Sequence, residues 1–115
     1  MVIEKGQIWW ADLGQPKGSE PGYKRPVVII SNNIFNKSGI NTVICAILTS
    51  NLTYSEIPGN ILLDKKDSKL KKHSVINTTQ ILTLDKEELT EKVSKIPHHN
   101  MVKLNTALKL VLDID

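Results

Sequence analysis

Hydrophobic and polar positions alternate or run in short blocks over the first two-thirds of the chain, and change to a helical period near its end. Gln7 to Leu13, beginning after Gly6 and rich in Trp and Ile, reads as a first strand. Trp9 and Trp10 alternate across it, so one of the two rings faces inward. Pro26 to Ser31 (PVVIIS) is β-branched and almost continuously apolar, the pattern of a strand buried on both faces. Pro26 suits the first position of such a strand, where a missing N–H does least harm. Thr42 to Thr49 is a third strand, Gly59 to Leu63 a fourth, and Ser74 to Leu84 a fifth, with Val75, Ile76, Ile81 and Leu82 its apolar members. Glu91 to Ile96 returns as a strand before Pro97 interrupts.

The segments between carry turn chemistry. Gly14 to Lys24 holds three glycines and two prolines among polar residues. It is longer than an ordinary hairpin connection, which points to function. Asn32 to Gly39 is a turn or a single helical turn, and Asp64 to Lys72, with five lysines and two aspartates, is a solvated connection. Asp85 caps a short helix, with Glu88 three residues on to complete a capping box. Met101, Leu104, Leu108, Val111 and Leu112 then recur at three- and four-residue steps, an amphipathic helix with Pro97 near its first turn. Five or six short strands followed by one helix predict a small barrel with helical decoration, mainly β or α+β.

Composition narrows the class. At 115 residues the chain fits one domain, and a hydrophobic content of 40% is enough for a folded core. No apolar run approaches membrane-spanning length, and no signal-peptide pattern opens the chain. Cys45 is the single cysteine, which excludes an internal disulfide framework and suits a reducing cytoplasm. It reads as a small buried hydrophobe. The net charge of +3 permits a polyanionic partner without demanding one. Fourteen of the fifteen basic residues are lysine, and the lone arginine is Arg25. A position that keeps arginine against that bias is a candidate for needing its planar, bidentate fork.

Several chemistries have no carrier in the sequence. His98 and His99 are adjacent, so on a helix their rings point about 100° apart and do not share a metal. The twelve carboxylates show no pairing of the magnesium-dependent nuclease kind, and no Walker A, G-x-S-x-G or G-x-G-x-x-G pattern occurs. Neither a metal nor another cofactor is expected. What stands out is the loop KGSEPGYKRP (17–26), which places a hydroxyl, a carboxylate, an aromatic, a lysine and Arg25 directly before a buried strand.

Five stretches then carry a resemblance: GQIWWADL (6–13), KGSE with RPVVIISNNIFN (17–36), CAILTSN (45–51), GNILL (59–63) and SVINTTQILTLDK (74–86). In this order, over nearly the whole length, the chain resembles the MazF/PemK toxins. The resemblance implies a single domain over 1–115 with an SH3-like barrel of the PemK/CcdB kind, usually a homodimer. It also implies metal-independent endonucleolytic cleavage of single-stranded RNA at a short sequence, in the cytoplasm, under control of a cognate antitoxin. The 2′-hydroxyl would attack its own 3′-phosphate, leaving 2′,3′-cyclic phosphate and 5′-hydroxyl ends. Carried over by motif, Arg25 is the arginine of the family's R-P pair, Thr49 the threonine that follows its third strand, and Gly18, Ser19 and Glu20 its G-S-E loop. Arg25 and Thr49 are the implied catalytic residues. Glu20 is the one nearby carboxylate, readable as a base or equally as a surface or antitoxin contact, so the general base stays unassigned. Ser19, Asn32, Ser74, Thr79 and Gln80 lie at matching strand ends or loops as candidate RNA contacts.

The chain departs from the family in two places. Pro21-Gly22-Tyr23 stands where many members have Gln-x-Gly, and Leu82 stands where many carry arginine, so the cleavage sequence does not transfer from relatives. Two other activities fit the same barrel: poisoning of DNA gyrase, as in the CcdB relatives, and silent binding of RNA or antitoxin. The Arg25/Thr49 pair with the G-S-E loop separates the ribonuclease from the gyrase poison, while the displaced glycine and Leu82 are what motivate the silent module.

Overall fold

The computed structural model describes residues 1–19 and 23–115. Its six strands are β1 (Gln7–Asp12), β2 (Lys24–Ile29), β3 (Thr42–Thr49), β4 (Ile61–Leu63), β5 (Ser74–Asp85) and β6 (Leu89–Lys95). One-turn helices α1 (Asn33–Asn36) and α2 (Lys65–Ser68) sit in connections, and α3 (His98–Leu112) follows the last strand. All strands join one sheet in the order β4-β5-β3-β2-β1-β6, with every pairing antiparallel.

The sheet has to curl. β5 and β6 lie four places apart in it, about 19 Å if flat, yet the turn Lys86–Glu88 alone joins them. Four backbone steps reach roughly 14 Å at most. Leu84 of β5 and Leu89 of β6 accordingly meet in one apolar cluster with Trp9, Val27, Ile29, Cys45 and Ile47. The other face carries Ile8, Val28, Ala46, Leu48 and Ile76 and packs against Leu104 and Ala107 of α3. β2 and β3 feed both clusters from alternate positions, which is why Val27–Ile29 and Val43–Leu48 are apolar without interruption. Each fully buried Ile or Leu stabilises the fold by about 1.5–3 kcal/mol over exposure. Gly6 lets α3 close on β1: its φ is +90°, and an added Cβ would lie 2.6 Å from Met101 Sδ.

The chain differs from its sequence reading mostly at boundaries. β2 begins two residues early, so Pro26 is its third residue rather than its first. The β3 ladder starts only at Val27, so at Pro26 the strand is paired on one side, with Trp10 opposite. β4 is cut to three residues, and Leu52–Glu56 forms a 3-10 turn with no sequence forecast. The short helix after Asp85 is a 3-10 turn, in which the Glu88 carboxylate accepts from the Asp85 N–H at 3.0 Å. The lysine-rich connection holds α2, whose Ser68 is fully buried.

Candidate functional site

The register of the sheet assembles one polar edge. Ala11 pairs with Arg25 between β1 and β2, and Val27 pairs with Ile47 between β2 and β3. Beyond that last pair, Arg25 near the start of β2 and Thr49 at the end of β3 lie at the same end of the two strands. Thr49 in turn pairs with Val75 of β5, beside Ser74. Arg25, Thr49 and Ser74 therefore share one end of three neighbouring strands. Arg25 is exposed and Thr49 half-buried. The Thr49 Oγ1 accepts from the Asn51 N–H at 3.1 Å, which orients the hydroxyl at the strand end.

Arg25 lines a cleft of about 890 Å³. Its floor is Trp10, Pro26, Leu48, Leu70 and Val93. Around it stand Lys24, Lys69, Lys71, Lys72 and Lys92 with Arg25, and Glu91 is the one carboxylate among the described lining residues. Six cations against one carboxylate make a positive potential that draws in a polyanion. Ser50 adds an exposed hydroxyl at the end of β3, whereas Ser74 is buried and its Oγ donates to the Lys72 carbonyl at 3.3 Å. Thr49, between Leu48 and Ser50, turns by alternation to the face opposite those two.

The lysine wall is held by the fold. The Asp64 carboxylate caps α2, accepting from the Asp67 N–H at 2.9 Å, and Lys69 ends the helix in the left-handed region at φ +65°. Ser68 Oγ accepts from the Leu70 N–H at 3.0 Å, and its carbonyl accepts from Ser94 Oγ on β6. Asp67 meets His99 of α3 at 3.4 Å, and His73 Nδ1 accepts from the Lys65 N–H at 3.1 Å. Lys69 to Lys72 thus lie over the sheet as a fixed rim, a placement that lysine density alone did not disclose.

The remaining candidates are dispersed. Asn32 lies beyond the opposite end of β2, where its Oδ1 accepts from the Ile34 N–H at 2.8 Å and caps α1. Thr79 and Gln80 occupy a wide bulge: Ala46 pairs with Ile81 but Ile47 with Asn77, so Thr78, Thr79 and Gln80 have no partners on β3. Thr79 Oγ1 donates to Asn77 Oδ1 at 2.6 Å, and Gln80 Oε1 accepts from Asn77 Nδ2 at 3.2 Å. Ser19 is exposed, and Glu20 lies outside the described residues. Sequence reasoning missed Trp10, Glu91 and Lys92 as cleft residues. The available signal was the β1 alternation, since Trp9 is buried and donates its Nε1–H to Gln7 at 2.9 Å, which leaves Trp10 for the other face.

Two other features bear on the chemistry. Burial pushes the Cys45 thiol up to about 12, so it stays protonated and unreactive at neutral pH. Among the described residues no three His, Cys, Asp or Glu side chains converge as metal ligands would.

The profile of a family described as "PemK-like, MazF-like toxin of type II toxin-antitoxin system" matches residues 4–112. The chain is 42% identical over 114 residues to "Endoribonuclease MazF6" of Mycobacterium tuberculosis, covering 99% of this chain and 100% of the relative. It is 40% identical to "Endoribonuclease MazF" of Staphylococcus epidermidis, covering 99% and 94%. Among solved structures, an "Endoribonuclease in complex with its cognate antitoxin from Mycobacterial species" superposes with a TM-score of 0.80 at 29% identity, over 98% of this chain and 97% of that one. MazF from Deinococcus radiodurans gives the same TM-score at 19% identity, a likeness of fold, over 99% of both chains. With residues 4–112 matched by profile and 98–99% of the chain by sequence and fold, the chain belongs to the PemK/MazF family of type II toxin–antitoxin toxins.

Proposed function

We propose that this chain is the toxin endoribonuclease of a toxin–antitoxin pair and cuts single-stranded RNA without a metal ion, at a short sequence. The observation that carries this reading is the lone arginine lining a lysine-rich cleft, with Thr49 at the same end of the neighbouring strand.

RNA brings its own nucleophile. The 2′-hydroxyl sits beside its 3′-phosphate, so attack is intramolecular and needs no activated water. The new O2′–P bond forms as the P–O5′ bond breaks, one proton leaves the 2′-oxygen, and one reaches the departing 5′-oxygen. Charge builds on the non-bridging oxygens meanwhile. Arg25 donates two charge-assisted hydrogen bonds to them, and the Thr49 hydroxyl donates another. Arginine stays protonated and is not the base. The base stays unassigned, with Glu20 the one carboxylate of the loop. Ser19 and Ser74 contact the RNA beside the reacting phosphate.

The functional unit is a homodimer of single-domain chains in the cytoplasm. Exposed Leu62 on β4 and exposed Val102 and Leu110 on α3 flank a groove of about 470 Å³ and leave an apolar strip that favours self-association. A cognate antitoxin covers the basic cleft. A matched mycobacterial endoribonuclease was solved with its antitoxin, which supports that pairing. No helix is long and apolar enough to cross a membrane among the described residues.

Digestion of RNA by the purified protein in EDTA, followed by sequencing of the fragment ends, tests all of this. Cyclic phosphate and 5′-hydroxyl ends are expected, with no cut where the nucleotide at the scissile bond is 2′-deoxy. Inhibition of DNA gyrase without RNA cutting, or RNA binding alone, would replace the proposal.

A further inference from the structure

The apolar floor of the cleft has a geometry that phosphate binding does not require. Trp10 on β1 pairs with Pro26 on β2 and with Glu91 on β6. Glu91, Trp10 and Pro26 therefore form one row across three strands, with Trp10 and Pro26 as its apolar members about 5 Å apart. Leu48 of β3 lines the same cleft from beneath, fully buried. The row lies on the face that the Lys69–Lys72 rim overhangs, and Trp10 stays half-buried there while Trp9 is in the core.

We propose that this row is a nucleotide subsite next to the scissile phosphate. One unstacked base lies against Trp10 and Pro26, the Glu91 carboxylate accepts a hydrogen bond from the exocyclic amine of that base, and Lys71 and Lys72 take flanking phosphates. The inference rests on the endoribonuclease reading, because it places this base beside Arg25. A single RNA strand alternates planar faces with charges, which suits an aromatic floor under a cationic rim. An acidic peptide would satisfy the lysines yet leave the tryptophan row uncovered and meet Glu91 with like charge. A carboxylate at a base edge selects for an amino group, as on cytosine. Glu91 therefore favours cytosine, adenine or guanine over uracil at one position. The cleft volume is within the range of sites that enclose such ligands.

The test uses the whole protein, a random-sequence single-stranded RNA pool, and fragment-end sequencing in EDTA. Trp10→Ala raises KM about tenfold, Trp10→Phe recovers most of the loss, and Glu91→Gln relaxes base preference at one position near the cut. Lys71→Gln/Lys72→Gln weakens RNA binding and flattens the slope of log K against log salt by about 1.4. Glu91, Lys71 and Lys72 are exposed, so these variants report even if Trp10→Ala does not fold. Unchanged preference in Glu91→Gln together with an unchanged salt slope would overturn the subsite. So would polyglutamate binding that weakens in the lysine variant while RNA binding does not, since the occupant would then be an acidic peptide. If the wild type binds RNA in a Trp10- and Lys71/Lys72-dependent way but never cuts it, the subsite stands and the endoribonuclease reading falls.

Discussion

Two polar regions of this protein put their side chains to opposite ends. At the β5 bulge, Asn77 is 2% exposed and its neighbours close on one another. Asn60 Nδ2 donates to Asn77 Oδ1 at 3.1 Å, and Asn60 Oδ1 accepts from the Thr78 N–H at 2.9 Å. Thr78 Oγ1 donates to the Gly59 carbonyl at 3.1 Å, and Thr79 and Gln80 complete the set through Asn77. At the cleft, by contrast, the lysine side chains stand exposed around an apolar floor, on a backbone that is itself well anchored. A polar cluster that satisfies itself shapes the chain, because a buried group left unpaired is costly. One that is fixed in place yet turned to solvent keeps its bonding capacity for a ligand.

The sharpest way to break this contrast is Arg25→Ala. RNA cleavage should fall by about 10²–10³-fold, the usual cost of removing a donor aimed at developing charge, while thermal unfolding stays near that of the wild type. A variant that keeps more than a tenth of the activity would remove Arg25 from the chemistry. Asn77→Ala should do the reverse. Urea unfolding should show a loss of about 2 kcal/mol, and cleavage per folded molecule should hold. Collapse of activity at intact stability would move the bulge to the RNA-reading side. Asn32→Ala, which removes the cap of a one-turn helix, should cost about 1 kcal/mol in the same unfolding measurement and leave cleavage untouched.

The smallest effect concerns Cys45. Its thiol ordinarily ionises near 9.0, and burial pushes that up to about 12. The folded state therefore holds the proton longer than the unfolded one. Stability from this site is fully present below pH 9.0 and declines as pH rises toward 12. A thiol reagent at pH 8 should label the protein only at the rate at which it unfolds, and rapid labelling of the native state would contradict the burial.

The sequence alone determined the local and periodic features. Runs such as Val27–Ile29 and Val43–Leu48 read as buried strands because they are short, rich in β-branched residues and bounded by turn residues. The steps from Met101 to Leu112 read as a helix because side-chain period is fixed by backbone geometry. The isolation of Arg25 among lysines was equally legible. What tertiary structure decided was adjacency. Sheet order and register brought Arg25 and Thr49 to one end of the sheet, turned Trp10 toward a cleft, and set Lys69 to Lys72 around it. The same register left Asn32 beyond the opposite end of β2 from Arg25 and gave Thr79 and Gln80 to a bulge. Register depends on pairings between residues tens of positions apart, and no local pattern encodes which polar groups will find partners within the fold and which will remain facing water.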